Sequence, residues 1–266
     1  MPEGDTVFQT ATRLRGALAG RALVRTDFRV PRYATVNLRG HEVVAVASRG
    51  KHLLVRFAGG MTLHTHLRMD GVWRVQAASA RVPGGAPGPR SVGRDQVRVV
   101  LANEAYTALG VRLPVVDLLR TVEEARVVGH LGPDLLGPDW DADEAARRLA
   151  AQPARAIGEA LLDQRNLAGV GNVYRAELCF LRGISPFTRV DAAGDLRTIA
   201  ELAHRALDAN REQIGHVTTG DARPGRQNWV YGRAGRPCRR CATPIRRTEA
   251  GEPPRVVFWC PRCQPA

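Results

Sequence analysis

Apolar residues recur at helical spacing near the start of the chain, at Val7, Phe8, Ala11, Leu14 and Leu18. That spacing predicts an amphipathic helix running to about residue 18. Asp5 or Thr6 would open it, and Thr6 with Gln9 fits a capping box. From Ala22 to about Ala108 the period shortens to that of strands, with apolar or alternating runs at 42–47, 52–57, 62–67, 72–76 and 96–101. Gly59-Gly60 marks a hairpin turn, and the small, Pro- and Gly-rich residues 77–94 read as a long loop. After Asp117 the texture turns helical, with candidates at 142–151, 154–163, 172–181 and 195–214. A tail from about Asn228 returns to short strands around cysteines. The fold class is α+β and multidomain: residues 1–118 with a leading helix and strands, 119–227 helical, and 228–266 a small cysteine module.

A chain of 266 residues with 44% hydrophobic and 24% charged positions has a globular balance, which excludes wholesale disorder. No apolar run approaches the roughly 18 residues of a membrane span, and the first ten residues lack a signal peptide's apolar stretch. The expectation is a cytoplasmic bacterial protein without a membrane partner. Charge sharpens this: 39 Lys+Arg against 26 Asp+Glu leave +13. A polyanionic partner would relieve the self-repulsion, although Ala/Arg/Gly-rich composition also raises basicity. Thirty-eight of the bases are Arg and one, Lys51, is Lys. Arg stays protonated at any working pH, whereas an amine can release and retake a proton, so Lys51 is a candidate for chemistry.

Cys238-Arg-Arg-Cys241 and Cys260-Pro-Arg-Cys263 are separated by 18 residues. Paired C-x-x-C knuckles at that distance suit one tetrahedral Zn²⁺, and two disulfides are the alternative in an oxidising compartment. Four ligands leave no open position, so the metal's role would be structural. The intervening residues read as a hairpin with Glu249-Ala-Gly251-Glu near its tip, and Arg239, Arg240, Arg246, Arg247, Arg255 and Arg262 crowd it as phosphate contacts. Cys179, between Leu178 and Phe180 on a predicted helix, reads as a core thiol.

Gln164-Arg-Asn-Leu-Ala-Gly-Val-Gly-Asn172 joins two predicted helices. Gly169 and Gly171 permit a tight turn whose helix-start amides form an anion site suited to a DNA phosphate; Asn172 as a simple helix cap fits equally. At the other end, removal of Met1 would expose the amine of Pro2. An α-amine with a pKa near 8 is partly unprotonated at neutrality and can attack a sugar C1′, with Glu3 beside it to move protons. Met-Pro starts are common, so this reading needs company.

The company exists. Met1-Pro-Glu-Gly4, R-G-K-H-L-L around Lys51, His66-Leu-Arg-Met-Asp-Gly71, L-L-D-Q…A-G-V-G-N-V-Y over 161–174 and the paired C-x-x-C motifs follow one another in one order. Together they resemble the formamidopyrimidine-DNA glycosylase/endonuclease VIII family over essentially the whole chain, and MPEG is similar to the endonuclease VIII branch. The resemblance implies an N-terminal two-layer β-sandwich with a leading helix, a helix–two-turn–helix domain and a zinc β-hairpin. It implies a bifunctional DNA glycosylase/AP lyase of base excision repair, acting on damaged DNA by β,δ-elimination.

By position, Pro2 matches the Schiff-base nucleophile, Glu3 the acid/base carboxylate, Lys51 the lysine of β-elimination, and Arg255 the zinc-hairpin arginine linked to phosphate binding and δ-elimination. Asn172 matches the asparagine that holds phosphates flanking the lesion. His66 and Met69 fall in a loop expected to meet DNA, with Met69 as an apolar wedge. Two departures stand out. The second N-terminal carboxylate common in the family is missing, with Asp5-Thr6 in its place. The stretch 108–114, where formamidopyrimidine-type members carry a gap-filling loop, holds Arg112 without an aromatic. That absence predicts weak reading of the opposite base, hence oxidised pyrimidines and abasic sites over 8-oxoguanine opposite cytosine. No diffusible cofactor is expected, and the chain is expected to act as a monomer near the nucleoid. The rivals are a non-catalytic zinc-containing nucleic-acid-binding protein on the same scaffold and a zinc-ribbon RNA-associated factor.

Overall fold

The computed structural model describes residues 2–78 and 93–265; most of the predicted 77–94 loop therefore lies outside the described residues. The chain divides into two compact units, one holding Pro2 and Val7–His130, the other Glu3–Thr6 with the residues from Leu131 onward.

The first unit is built from helix α1 (Gly4–Leu18) and strands β1 (Arg25–Phe28), β2 (Val43–Arg49), β3 (His52–Phe57), β4 (Met61–His66), β5 (Val72–Ala77), β6 (Val97–Ala102), β7 (Tyr106–Val111) and β8 (Val115–Arg120), ending in the single turn α2 (Ala125–Val128). The strands form two antiparallel four-stranded sheets, ordered β1-β6-β7-β5 and β2-β3-β4-β8. Val7, Leu14 and Leu18 of α1 share one core with Leu53, Val55 and Leu63 of one sheet and Trp73, Val99 and Leu101 of the other. Burying each such side chain stabilises the fold by roughly 1.5–3 kcal/mol. The alternating pattern predicted the central strands within about two residues. The turn at Gly59 and Gly60 forms with both residues at positive φ (93° and 77°), which only glycine adopts without strain.

Two local expectations need correction. Helix α1 starts at Gly4, so Thr6 lies inside the first turn and opens no capping box. The strand region continues to Arg120, because Asp117 sits in the middle of β8, where its carboxylate accepts from the Tyr33 hydroxyl and pairs with Arg32 at 3.5 Å. An acidic residue with partners waiting on a neighbouring segment disguised the strand. The 108–114 stretch comprises the end of β7 and a three-residue connection to β8, with Arg112 at φ 49°.

The second unit contains α3 (Ala142–Ala150), α4 (Ile157–Ala160), α5 (Asn172–Arg182), α6 (Leu196–Asp208) and the hairpin β9 (Arg246–Ala250) with β10 (Arg255–Trp259). Asp141 caps α3 and Asp195 caps α6 through their side chains. The helix predicted over 154–163 shrinks to one turn, because the Ile157 and Gly158 amides bond to the carbonyls of Thr188 and Pro186. That predicted over 195–214 stops early, because the Asn210 amide takes the Ala206 and Val217 carbonyls at 2.8 and 2.9 Å and closes a loop. Leu135, Leu149, Leu161, Tyr174, Leu178, Ile199 and Leu207 form the core, which also buries Cys179 and raises its thiol to about 12. The buried Glu177 carboxylate accepts the amides of Trp229, Val230 and Tyr231 at 2.8–2.9 Å, fastening α5 to the segment that leads into the cysteine module.

Candidate active site

The N-terminal segment is docked on the start of α5. Glu3 is fully buried, and its carboxylate accepts the amides of Gly171 and Val173 at 2.7 Å each and of Tyr174 at 3.3 Å. These are the orphan donors of a helix start, where the dipole also favours an anion. Gly4 donates to the Gly169 carbonyl at 2.9 Å. A Cβ at Gly4 would lie 2.9 Å from the Gly169 Cα, and one at Gly171 would lie 2.4 Å from the Glu3 carboxyl carbon. Gln164 braces the same turn, accepting the Gly169 amide at 3.1 Å and donating to the Val170 carbonyl at 2.9 Å. The turn amides proposed from sequence as a phosphate site are therefore occupied by the protein's own carboxylate. Asn172 is no cap either; the cap position is Gly171.

Asp5, two residues on, is also buried. Its Oδ2 accepts from the Tyr174 hydroxyl at 2.6 Å and from His216 Nδ1 at 2.8 Å, and its Oδ1 from the Thr6 amide at 2.7 Å. Burial first, then the Asp5 and Glu3 carboxylates, pushes the Tyr174 hydroxyl far above its ordinary range, so it stays protonated and donates to Asp5. Sequence reading left Asp5 and Thr6 as alternatives and did not find His216. No spacing rule links positions 5 and 216.

Asn172 faces the zinc-hairpin candidate. Its Nδ2 donates to the Val256 carbonyl at 2.8 Å, and Arg175 donates both to that carbonyl, at 2.6 Å, and to Asn172 Oδ1. Arg175 is buried, its pKa is lowered by desolvation, and its Nε has no partner. Arg255, next to Val256 and exposed, lines a groove with Arg155, Arg175, Glu159 and Asp163. Asn172 and Arg255 are thus brought to the same end of α5, with Arg175 as a residue that sequence reading missed.

In the first unit, Lys51 occupies the tight turn between β2 and β3, preceded by Gly50 at φ 55°. Its charge acts on His66 at the end of β4. Burial first, then Arg68, Lys51 and His64, hold the His66 imidazole down to about 4. His66 Nδ1 accepts the Arg68 amide at 2.9 Å, and Arg68 adopts φ 50°. A Cβ at Gly71 would lie 2.6 Å from the Leu67 carbonyl oxygen, so the turn closes on a glycine and leaves Met69 63% exposed at its tip. Pro2 is half-buried.

The ligand atoms of Cys238, Cys241, Cys260 and Cys263 all lie within 4.8 Å of one another, with sulfur pairs at 3.9 and 3.4 Å. Tetrahedral Zn–S bonds of 2.3 Å require sulfurs about 3.8 Å apart, so the donor set fits. The amides of Arg240 and Cys263 donate to Cys238 and Cys260 sulfur at 3.4 Å each, which favours thiolates. The cluster can hold one metal ion.

Comparison with known proteins agrees with these features. Residues 1–112 match the family model of the formamidopyrimidine-DNA glycosylase N-terminal domain, and residues 131–215 that of the formamidopyrimidine-DNA glycosylase H2TH domain. The chain is 55% identical to the probable endonuclease 8 2 of Streptomyces coelicolor, over 99% of this chain and 94% of the relative. It is 49% identical, over the full length of both, to a Mycolicibacterium smegmatis protein named DNA-(apurinic or apyrimidinic site) lyase Nei2. The crystal structure of the MutM (Fpg) protein from Thermus thermophilus aligns with a TM-score of 0.78 at 28% identity, covering 99% of this chain and 98% of that one. Lactococcus lactis formamidopyrimidine-DNA glycosylase on DNA containing an AP site shares the fold, with a TM-score of 0.80 over 99% and 100% of the two chains. Matched by both domain models and by full-length relatives named endonuclease 8, the chain belongs to the formamidopyrimidine-DNA glycosylase family.

Proposed function

We propose that this chain is a bifunctional DNA glycosylase/AP lyase of base excision repair, acting on damaged DNA through the amine of Pro2. The observation that carries the reading is the fastening of Glu3, the residue next to Pro2, to three amides at the start of α5, those of Gly171, Val173 and Tyr174. Burying that carboxylate at a helix start holds the segment behind the amine to a rigid element, which is what positioning for catalysis requires. The names and activities of the full-length relatives support the same reading.

In the proposed reaction Pro2 nitrogen attacks C1′, the base departs, and the sugar opens to an iminium. Loss of a C2′ proton then expels the 3′-phosphate, and a second elimination expels the 5′-phosphate. Glu3 and Lys51 serve the proton transfers, with Lys51 able to release and regain a proton where Arg would not. Arg255 assists the second elimination. Asn172 and His66 contact phosphates. Met69 enters the space left by the everted nucleotide.

Cys238, Cys241, Cys260 and Cys263 would hold Zn²⁺, which supplies folding energy to the hairpin that carries Arg255. We assign residues 1–118 to catalysis, 119–227 to the grip on DNA and 228–266 to the zinc module, in a monomer that works at the nucleoid. Oxidised pyrimidines are the favoured lesions.

The test is borohydride trapping on DNA with an abasic site. A protein with free Pro2 should give a covalent adduct, and one with a residue left ahead of Pro2 should give none. Full trapping by the extended protein would overturn the proposal.

A further inference from the structure

His52 and His66 face each other across the antiparallel pair β3–β4, and His64 lies on the same face, two residues back along β4. His64 is 4% exposed, whereas His52 and His66 are half-buried, at the end of the sheet where the Lys51 turn and the turn after His66 emerge. The three rings form one cluster. His52 Nδ1 and His64 Nε2 lie 2.8 Å apart with ring planes 20° from parallel, and the His66 ring stands edge-on to His52 with centroids 5.0 Å apart. Burial first, then the charges of Arg68, Lys51 and the neighbouring histidines, His130 among them, oppose a second proton on His52 or His66. Both rings are neutral at working pH.

A neutral imidazole has one N–H and one bare nitrogen, and its neighbours decide which is which. His66 Nδ1 accepts the Arg68 amide at 2.9 Å, so its hydrogen is on Nε2. For His52 the deciding atom is His64 Nδ1, which is buried without a partner. The acids whose charges act on His64 are engaged elsewhere: Asp117 by Tyr33 and Arg32, Glu124 by Arg56 and Thr62. A hydrogen on His64 Nδ1 would be a stranded buried donor, which is rarer in protein interiors than an unused acceptor. The His64 hydrogen therefore sits on Nε2 and is donated to His52 Nδ1, which leaves the His52 hydrogen on Nε2. Among the described residues, neither the His52 nor the His66 Nε2 has a hydrogen-bonding partner.

We infer that His52 and His66 are a pair of neutral Nε2–H donors for one phosphodiester of the bound DNA, and that His64 is a positioning residue that holds His52 as a donor; the inference rests on the DNA-repair reading above. Lys51 and Arg68, on the two turns beside the pair, attract an anion to this end of the sheet. The imidazoles add direction, because each ring is held from its far side by a hydrogen bond at Nδ1. They add no charge, so the cluster does not repel itself. His64, shut away from solvent, acts only through His52.

The experiment titrates a duplex carrying a stable abasic-site analogue by fluorescence anisotropy over a series of salt concentrations. His52→Phe keeps a flat ring and loses the donor. Its affinity should fall about tenfold, the scale of one hydrogen bond to a charged group, with the salt slope unchanged because no cation is lost. His52→Gln, whose amide can donate from near the Nε2 position, should recover most of that loss. Lys51→Ala, which does remove a cation, should lower the slope by about one. His64→Phe should weaken binding as His52→Phe does, and His64→Gln, able to donate to His52 Nδ1, should restore it. A packing role for His64 would rank those two variants the other way and overturn the positioning claim. Histidine ¹H–¹⁵N spectra of the parent should place the His52 and His66 hydrogens on Nε2; a His52 hydrogen on Nδ1 overturns the inference without any variant. So does normal binding by His52→Phe, or a loss accompanied by a slope lower by about one, the mark of an imidazolium. A parent that gives no borohydride adduct overturns the DNA-repair reading itself, whereas a parent that traps while His52→Phe binds normally overturns this inference alone.

Discussion

Glu3 and Gly171 meet more closely than any side chain at position 171 would permit. The carboxylate accepts the Gly171 amide at 2.7 Å, and a Cβ there would lie 2.4 Å from the Glu3 carboxyl carbon. Gly4 and Gly169 repeat the arrangement one residue along, backbone against backbone. The M-P-E-G start and the A-G-V-G-N turn are therefore two halves of one joint. Gly171→Ala should evict the carboxylate, at a loss of about 1.5–3 kcal/mol for each charge-assisted bond broken. Denaturant unfolding should show the loss, and borohydride trapping should drop with it. A Gly171→Ala protein as stable and as reactive as the parent would remove the joint from the mechanism.

Lys51→Arg keeps a cation in the β2–β3 turn and removes an amine that can exchange its proton. DNA affinity should hold while strand cleavage slows by about 10²-fold or more. Gel-shift titration and single-turnover cleavage on one abasic duplex separate the two. Equal losses in both would reduce Lys51 to a phosphate contact.

Cys260→Ser should release the metal and unfold the β9–β10 hairpin, because a closed four-cysteine site contributes its binding energy to folding. Arg255 and the Val256 carbonyl that joins Asn172 and Arg175 lie on that hairpin. DNA affinity should fall before chemistry does, so excess enzyme should partly restore trapping. Metal analysis of the parent should return one zinc per chain; none would refute the assignment.

Stability should depend on pH through the histidines of the first unit. His52 is held down to about 3, first by burial and then by the charges of His66, His64, His130 and Arg68, and His66 is held down to about 4. Both are depressed in the folded state, so the unfolded chain binds more protons below its ordinary histidine pKa near 6.5. The stabilisation is present above about pH 6.5 and is lost as pH falls toward 4. Melting temperatures measured from pH 8 to 4.5 should drop over that window, and less steeply in His52→Phe, which cannot take up the proton. Identical slopes for the two proteins would contradict the assignment.

Much of this molecule was legible from local order in the chain. Period-2 alternation marks β2 through β6 because a sheet buries one face of each strand. The cysteine spacing announces a four-sulfur cluster because two knuckles joined by a hairpin bring thiolates to tetrahedral range. The separated motifs pointed to the family because they occur in one order. What only the tertiary structure decided involves residues far apart in sequence. Asp117 lay beyond the strand region expected to close near Ala108, yet it sits inside β8 with Tyr33 and Arg32 beside it. The helix-start amides looked ready for a phosphate, and Glu3 takes those of Gly171, Val173 and Tyr174. Asp5 and His216 are 211 positions apart, yet they make one hydrogen-bonded pair. Periodicity records which face of an element is buried; it carries no record of which distant polar group satisfies a buried charge. That pairing is settled only when the folded backbone brings the two within bonding distance.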